Sequence, residues 1–461
     1  MSDEATLDKF LTEDQDTTDE QESEQLLPEI SDIPEDWNLV TVEDVSKNIL
    51  GGGTPAKNNK EYWGGDIPWA SVKDLNGIEL SVTEDYITEA GVENSATNVV
   101  PSNSVIVSAR MTVGEPFLNQ VEMAINQDMK AIIPDTDRVV PWFLVYSLWD
   151  KDPYLKSLGR GTTVDGITTK DLTLTHLGLP PLNEQRKIAS VLYTVDQASD
   201  KIEDIIRQGN RVKKGLIQKL YSEGYFDHEK YQEVDKQDAY VMTRADEVPA
   251  EWEIRQLDEI AEIKTGHTPS TSVDEYWDGN ISWVDIHDLT QLEKTVIETT
   301  DDTITEEGLE NSGAKLLPKG TLVLCRTGAI GETAILGKEM ATDQDQVTFE
   351  CDESVVLPRY LMYLFEFATP QLERLSAGST HDKIQLHFFS DLEIPLPSID
   401  EQHKIVDALE SIDDVVIANK EQLDRLDRRK TGLRQDLISG DVRTAGEEID
   451  IPDEVKNYEP E

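Results

Sequence analysis

Asn183-Glu184-Gln185-Arg186-Lys187-Ile188 and Asp400-Glu401-Gln402-His403-Lys404-Ile405 are two copies of one motif, and each stands where the pattern of the chain changes. Glu401 minus Glu184 is 217, and Gly91 with Gly308, Asn94 with Asn311, Pro101 with Pro318 and Pro141 with Pro358 repeat that offset. Working back from each copy, the same landmarks recur in the same order. The first series is Ile33-Pro34-Glu35-Asp36-Trp37, Gly53-Thr54-Pro55, Glu61-Tyr62-Trp63, Ile67-Pro68-Trp69 and Lys73-Asp74-Leu75. The second is Val248-Pro249-Ala250-Glu251-Trp252, His267-Thr268-Pro269, Glu275-Tyr276-Trp277, Ile281-Ser282-Trp283 and His287-Asp288-Leu289. A long-period duplication of this kind means two similar modules with two similar tasks.

Each module mixes short strands and helices. Ser104–Ser108 and Thr321–Cys325 are apolar runs after a proline turn, each leading to an arginine and glycines: Arg110 and Gly114, then Arg326, Gly328 and Gly331. These read as buried strands ending in a loop. Trp142–Leu148 and Arg359–Phe365 start just after a proline, as short buried helices do. Leu177–Pro180 and Leu392–Pro397 read as closing strands, so the fold class is α+β.

Forward from each copy the period becomes three and a half. Ile188, Leu192, Val195, Ser199, Ile202, Ile206, Gly209, Lys213, Leu216 and Leu220 form one seam. Ile405, Leu409, Ile412, Val416, Asn419, Leu423, Leu426, Lys430, Leu433 and Leu437 form the other. Two ordinary helices, each packed on its own globule, would also fit the heptads. Matching seams beside equivalent globules favour an antiparallel coiled coil, with Ser199, Lys213, Asn419 and Lys430 fixing register at some cost in stability. The boundaries expected are an acidic disordered tail 1–32, a first globule 33–183, a helix 184–224, a linker 225–247, a second globule 248–400, a helix 401–440 and an acidic tail 441–461.

Composition limits the function. The 461 residues carry 42 Lys+Arg against 93 Asp+Glu, a formal net charge of −51. Self-repulsion on that scale destabilises a compact state unless salt screens it. Acid dispersed over both modules points to a salt-rich, halophile-like cytoplasm, and the competing reading is a protein that mimics or avoids nucleic acid. No run approaches the roughly 20 apolar residues of a membrane span, and the acidic N-terminus is unlike a signal peptide, so a cytoplasmic chain without membrane contact is expected. Cys325 and Cys351 form no Cys-x-x-Cys pair, and the seven histidines have no metal-ligand spacing. There is no Asp/Asn-Pro-Pro-Tyr/Phe run and no phosphate loop; Gly331 to Lys338 has one residue too many between its glycines, and Glu339 where a hydroxyl belongs. Gly51-Gly52-Gly53 reads as a flexible loop. Neither nucleophile, metal site nor cofactor site is legible, so a non-catalytic chain is expected.

The order of globule, Leu/Pro-rich strand and Glu-Gln-x-Lys-Ile helix, repeated, with Gly-x-Thr-Pro, Tyr-Trp and Ile-x-Trp opening each globule, resembles the specificity (S, or HsdS) subunit of type I restriction-modification enzymes. The likeness covers nearly all of the chain except the tails. It implies two target-recognition domains, each reading half of a bipartite double-stranded DNA target, held apart by helices that dock two modification (methyltransferase) subunits. Restriction subunits, the ATP-dependent translocase and nuclease, would join that core. S-adenosylmethionine, ATP and Mg would then belong to those partners, with no cofactor on this chain.

DNA requires cationic and polar loops, with phosphate contacts for position and base-edge contacts for sequence. In the first module Thr54, Lys57, Asn58, Asn59 and Lys60 concentrate donors beside Tyr62-Trp63, with Lys73, Arg110, Arg160 and Thr162 as further candidates. The second offers Lys264, His267, Thr268, Ser270, His287, Arg326, Thr327, Thr380 and Lys383. Trp37, Trp69, Trp252 and Trp283 read as core aromatics, and Tyr62-Trp63 and Tyr276-Trp277 as core or as braces of the loop. Asn126-Gln127-Asp128 and Asp343-Gln344-Asp345 read as turn groups satisfying the backbone. Two other classes stay open from the residues alone: an acidic scaffold that binds only protein, and a single-chain DNA-modifying enzyme.

Overall fold

The computed structural model describes residues 33–456 except 76, 111–112, 160–165, 235–239 and 377–382. The expected tail 1–32 therefore lies outside the described residues. The chain forms two compact units, Met1–Asp200 with Arg425–Glu461, and Lys201–Asp424.

The globule of the first unit contains β1 (Asn38–Thr41), β2 (Ser46–Gly51), β3 (Trp63–Ala70), β4 (Glu79–Leu80), β5 (Asp85–Ile87), β6 (Asn98–Val100), β7 (Val105–Ser108), β8 (Pro116–Asn119), β9 (Met123–Ile125), β10 (Met129–Pro134) and β11 (His176–Leu179). They assemble as a five-stranded sheet β2-β10-β7-β8-β4, a four-stranded sheet β5-β3-β9-β6 and the pair β1-β11. β7 is continuously apolar because both its faces are covered. Val105 and Val107 point into a core with Trp142, Phe143 and Tyr146 of the helix Pro141–Asp150. Ile106 points the other way, to Phe117, Met123 and Met129.

The globule of the second unit repeats this plan. Its five strands, Ala261–Thr265, Gln346–Cys351, Leu322–Cys325, Thr333–Leu336 and Val296–Ile297, lie in the corresponding order. Leu322 and Leu324 face one core, Val323 and Cys325 another. Burial pushes the thiols of Cys325 and Cys351 up to about 12, so both behave as small apolar groups.

The two long helices are α1 (Leu182–Glu223) and α2 (Ile399–Ser439). Each ends on a glycine in the left-handed region, Gly224 at φ 83° and Gly440 at φ 84°. The helices run antiparallel in both units. In the first, Lys187 donates to the carbonyls of Thr444 and Ala445, and Asp196, about two and a half turns on, meets Lys430. In the second, Lys213 bonds Asp413 at 2.8 Å and Glu366 at 2.9 Å. Each Lys–Asp pair is buttressed by a tyrosine of the adjoining globule: Tyr146 donates to Asp196 and Tyr363 to Asp413, both at 2.6 Å. Two of the polar seam positions, Lys213 and Lys430, are thus reciprocal ion pairs in one antiparallel register.

The Glu-Gln-x-Lys-Ile motif is explained by its contacts. Gln185 accepts from Val140 N and donates to the carbonyls of Arg138 and Pro180. Gln402 does the same with Leu357 N, Val355 O and Pro397 O, clamping helix start to globule. Glu184 accepts from the Trp37 indole and from Arg443, which also bonds Asp36. Glu401 accepts from the Trp252 indole and pairs with His228, which also reaches Glu251. Arg443 and His228 come from the segments that follow the two long helices, so those segments are fastened structure. In the first unit Thr444 and Val455 are buried and Trp142 donates to Glu454 O, which corrects the expected tail over 441–456. In the second, Tyr231–Glu233 pairs with Glu247–Pro249, and Met242 and Ala245 enter the core, so the described residues of the expected linker are fastened too.

Candidate nucleic-acid interface

In the first module β3 and β9 pair in parallel, Trp69 opposite Ala124, and bring the 53–60 loop, the 71–74 turn and the 126–128 turn together. Gly52 lies against the backbone of Asn126, where a Cβ would fall 2.0 Å from its carbonyl oxygen; Gly266 meets Thr342 O at 1.8 Å in the same way. These glycines permit close backbone approach, so the Gly51–Gly53 stretch is a packing contact and not a flexible loop. Trp69 donates to Gly53 O at 3.1 Å and Trp63 to Ala56 O at 3.3 Å, while the two rings meet edge to face at 5.1 Å. Trp283 and Trp277 brace the second loop likewise, through His267 O and Ser270 O, with ring centroids 5.1 Å apart. The tryptophans are therefore both core and brace.

The shared Gln of each polar turn holds the Thr-Pro corner. Thr54 donates to Gln127, and Thr268 donates to Gln344 through both its backbone nitrogen at 3.1 Å and its hydroxyl at 2.9 Å. Thr54 and Thr268 therefore position their loops. The turns were legible as satisfied backbone groups; their grip on the opposite loop, across 73 and 76 residues of sequence, was not.

A cleft of about 760 Å³ results in the first module, lined by Thr54, Lys57, Trp63, Lys73, Gln127 and Asp128 among others. Lys57, Asn58, Lys60 and Lys73 are exposed. Asn59 is occupied in capping the Lys60–Tyr62 turn. Arg110 has a half-exposed side chain and reaches Asp128 only at 3.5 Å. Several expected DNA contacts of the second module are engaged elsewhere. Arg326 is 7% exposed and donates to Ile384 O at 3.0 Å and Gln344 O at 2.7 Å, so it braces the loop from inside and is not placed to read a base. Lys264 is neutralised by Glu350 and Glu262, and Lys383 by Asp345 at 2.7 Å. His267, Ser270 and His287 remain exposed, His287 lying 3.6 Å from Asp301; Thr327 is half-buried beside Lys383. Arg160, Thr162 and Thr380 lie outside the described residues.

The duplication is exact enough to align the two loop frames by hydrogen bonds. Ala109 N and Arg326 N donate to Asp128 O and Asp345 O, and Ala109 O and Arg326 O accept from Ile167 N and Ile384 N. Arg326 therefore corresponds to Ala109, and Arg110 to Thr327, one residue out of step with the pairing of arginines read from sequence. Ser71 and Asp285 start equivalent turns closed by Asp74 and Asp288, which sets Lys73 against His287. Burial pushes Asp343, the counterpart of Asn126, up to about 6. Among the described residues no His, Cys, Asp and Glu group is arranged to hold a metal, and no helix is long and apolar enough to cross a membrane.

A family model, the type I restriction modification DNA specificity domain, matches residues 34–209 and again 249–428. The chain is 25% identical over 421 residues to the type I restriction enzyme MjaVIII specificity subunit of Methanocaldococcus jannaschii, covering 89% of this chain and 94% of that one. It is 34% identical over 158 residues to the EcoR124I/EcoR124II specificity subunit of Escherichia coli, covering 33% of this chain and 39% of that one. In fold it is similar to the crystal structure of a type I restriction-modification S subunit from M. genitalium, with TM-score 0.58 at 14% identity, covering 90% of this chain and 98% of that one. With both matched segments covering most of the sequence and falling on the two equivalent globule-and-helix halves, the chain belongs to the type I restriction-modification DNA specificity family.

Proposed function

We propose that this chain is the DNA-recognition subunit of a type I restriction-modification complex, each globule reading one half of a bipartite, asymmetric target. The observation that carries the reading is one loop frame built twice with different groups around it. Trp63/Trp277, Trp69/Trp283 and Gln127/Gln344 recur as frame, while Lys57, Lys73 and Arg110 of the first module correspond to Thr271, His287 and Thr327 of the second. A conserved frame fixes how the duplex is approached, and differing rim groups read different bases.

The chain itself is non-catalytic in this reading and carries no cofactor; methyl transfer and cleavage, with S-adenosylmethionine, ATP and Mg, fall to the modification and restriction subunits. α1 and α2 space the readers and dock the methyltransferase subunits. The charge of −51 suits a salt-rich cytoplasm, where counterion release weakens and geometry and hydrogen bonds carry more of the affinity. Mapping methylated adenines in genomic DNA with and without this gene tests the proposal. An asymmetric two-part motif that vanishes with the gene is expected; an unchanged methylation pattern would refute it.

A further inference from the structure

We propose that the two modules hold DNA by different chemistry: the first anchors phosphates through Lys57, Lys73 and Arg110, while the second meets its half-site through Thr271 and His287, at the positions of Lys57 and Lys73. This inference rests on the specificity-subunit reading.

The correspondence of positions comes from the backbone. Trp63 bonds Ala56 O where Trp277 bonds Ser270 O, which sets Lys57 against Thr271. Asp74 accepts from Ser71 N and Glu84 N where Asp288 accepts from Asp285 N and Asp301 N, which sets Lys73 against His287. The strand-end bonds already described set Arg110 against Thr327, whose hydroxyl is buried. Lys57 and Lys73 line the cleft, exposed and without an ion pair among the described residues, and Arg110 lies at its edge, reaching Asp128 of the lining with half its side chain in solvent.

The second module lacks these three cations and gains two carboxylates, Asp285 for Ser71 and Asp343 for Asn126. The cations it gains turn inward: Arg326 replaces Ala109 and binds carbonyls, and Lys383 replaces Gly166 and binds Asp345. Lys315 is exposed, but it takes the position of Asn98, which bonds Gly51 O and does not line the cleft. A duplex phosphate is thus attracted to the first rim, while at the second it would meet Asp285 in the turn that carries His287; Asp301 there takes the place of Glu84 in the first module. A neutral hydroxyl and an imidazole can hydrogen-bond a base edge without releasing counterions.

The salt dependence of binding separates the two modules. Each phosphate neutralised by Lys or Arg contributes about 0.9 to the slope of log affinity against log salt. The complex assembled with its methyltransferase subunits is titrated with duplex carrying its mapped motif across a salt series. Changing Lys57, Lys73 and Arg110 together to Gln should flatten the slope by about 2–3. The pair T271A and H287A should leave the slope unchanged and weaken discrimination against base changes in one half of the motif. T271K, which adds a cation to the second rim, should steepen the slope by about 1. Equal slope losses from both sets of changes, or an unaltered slope in the triple variant, would overturn the proposal. The wild-type titration reports the parent reading separately, since a complex without preference for its own motif is no specificity complex.

Discussion

Arg110 and Arg326 follow similar strands, yet one is half in solvent and the other is sealed against two carbonyls. Removing a buried donor strands its acceptors, at about 1–3 kcal/mol for each group left unpaired. Arg326→Ala should therefore lower the stability of the second module by roughly 2–4 kcal/mol, read as a lower denaturant midpoint. Arg110→Ala should leave that midpoint within about 0.5 kcal/mol, as expected of a surface change, and weaken DNA binding instead. Equal melting of the two variants would contradict the assignment. Sequence made both arginines candidates because residue type and the preceding strand are all it displays. Which side of the strand end each faces depends on a one-residue shift, visible only through the bonds from Ile167 N and Ile384 N.

The elements were legible where periodicity is strict. β7 and Leu322–Cys325 announced themselves as buried runs, and the seams of α1 and α2 fell on buried or half-buried positions throughout. The segments after the two helices did not, because each is fastened by isolated residues without period, set in acidic surroundings that read as solvent-exposed. The fastenings also differ chemically. In the first unit Arg443 lowers Glu184 and Asp36 from their ordinary values by direct hydrogen bonds, and arginine does not titrate near neutrality. In the second, burial opposes charging of His228, but hydrogen bonds to Glu401 and Glu251 outweigh it and raise the imidazole above its ordinary value. A folded-state value above the unfolded one, about 6.5, gives stability that is complete below that pH and lost as pH rises through the raised value. The second unit should loosen as pH climbs above about 6.5 and through the raised value, and His228→Arg should flatten that part of its melting profile. Parallel wild-type and variant profiles would show that the imidazole does not fasten the segment.

At the scale of the whole molecule, the reciprocal pairs Asp196–Lys430 and Lys213–Asp413 turn the heptad pattern into a register that can be edited. A slip of one helix against the other would leave two partly buried lysines and two carboxylates without partners, a penalty of several kcal/mol for each broken pair. Length can be changed without a slip if one heptad is inserted between Asp196 and Lys213 and another between Asp413 and Lys430. Both pairs and the apolar seam then persist, while the helices grow by roughly 10 Å at 1.5 Å per residue. On the proposed reading, the half-sites in the methylated motif should stay the same and the unread spacer between them should lengthen by about three base pairs at 3.4 Å each. A four-residue insertion in α1 alone rotates the seam off its partner and should abolish assembly. Genome-wide methylation mapping of the double-heptad variant decides the matter: an active complex with its original spacer would mean that something other than α1 and α2 sets the distance between the readers.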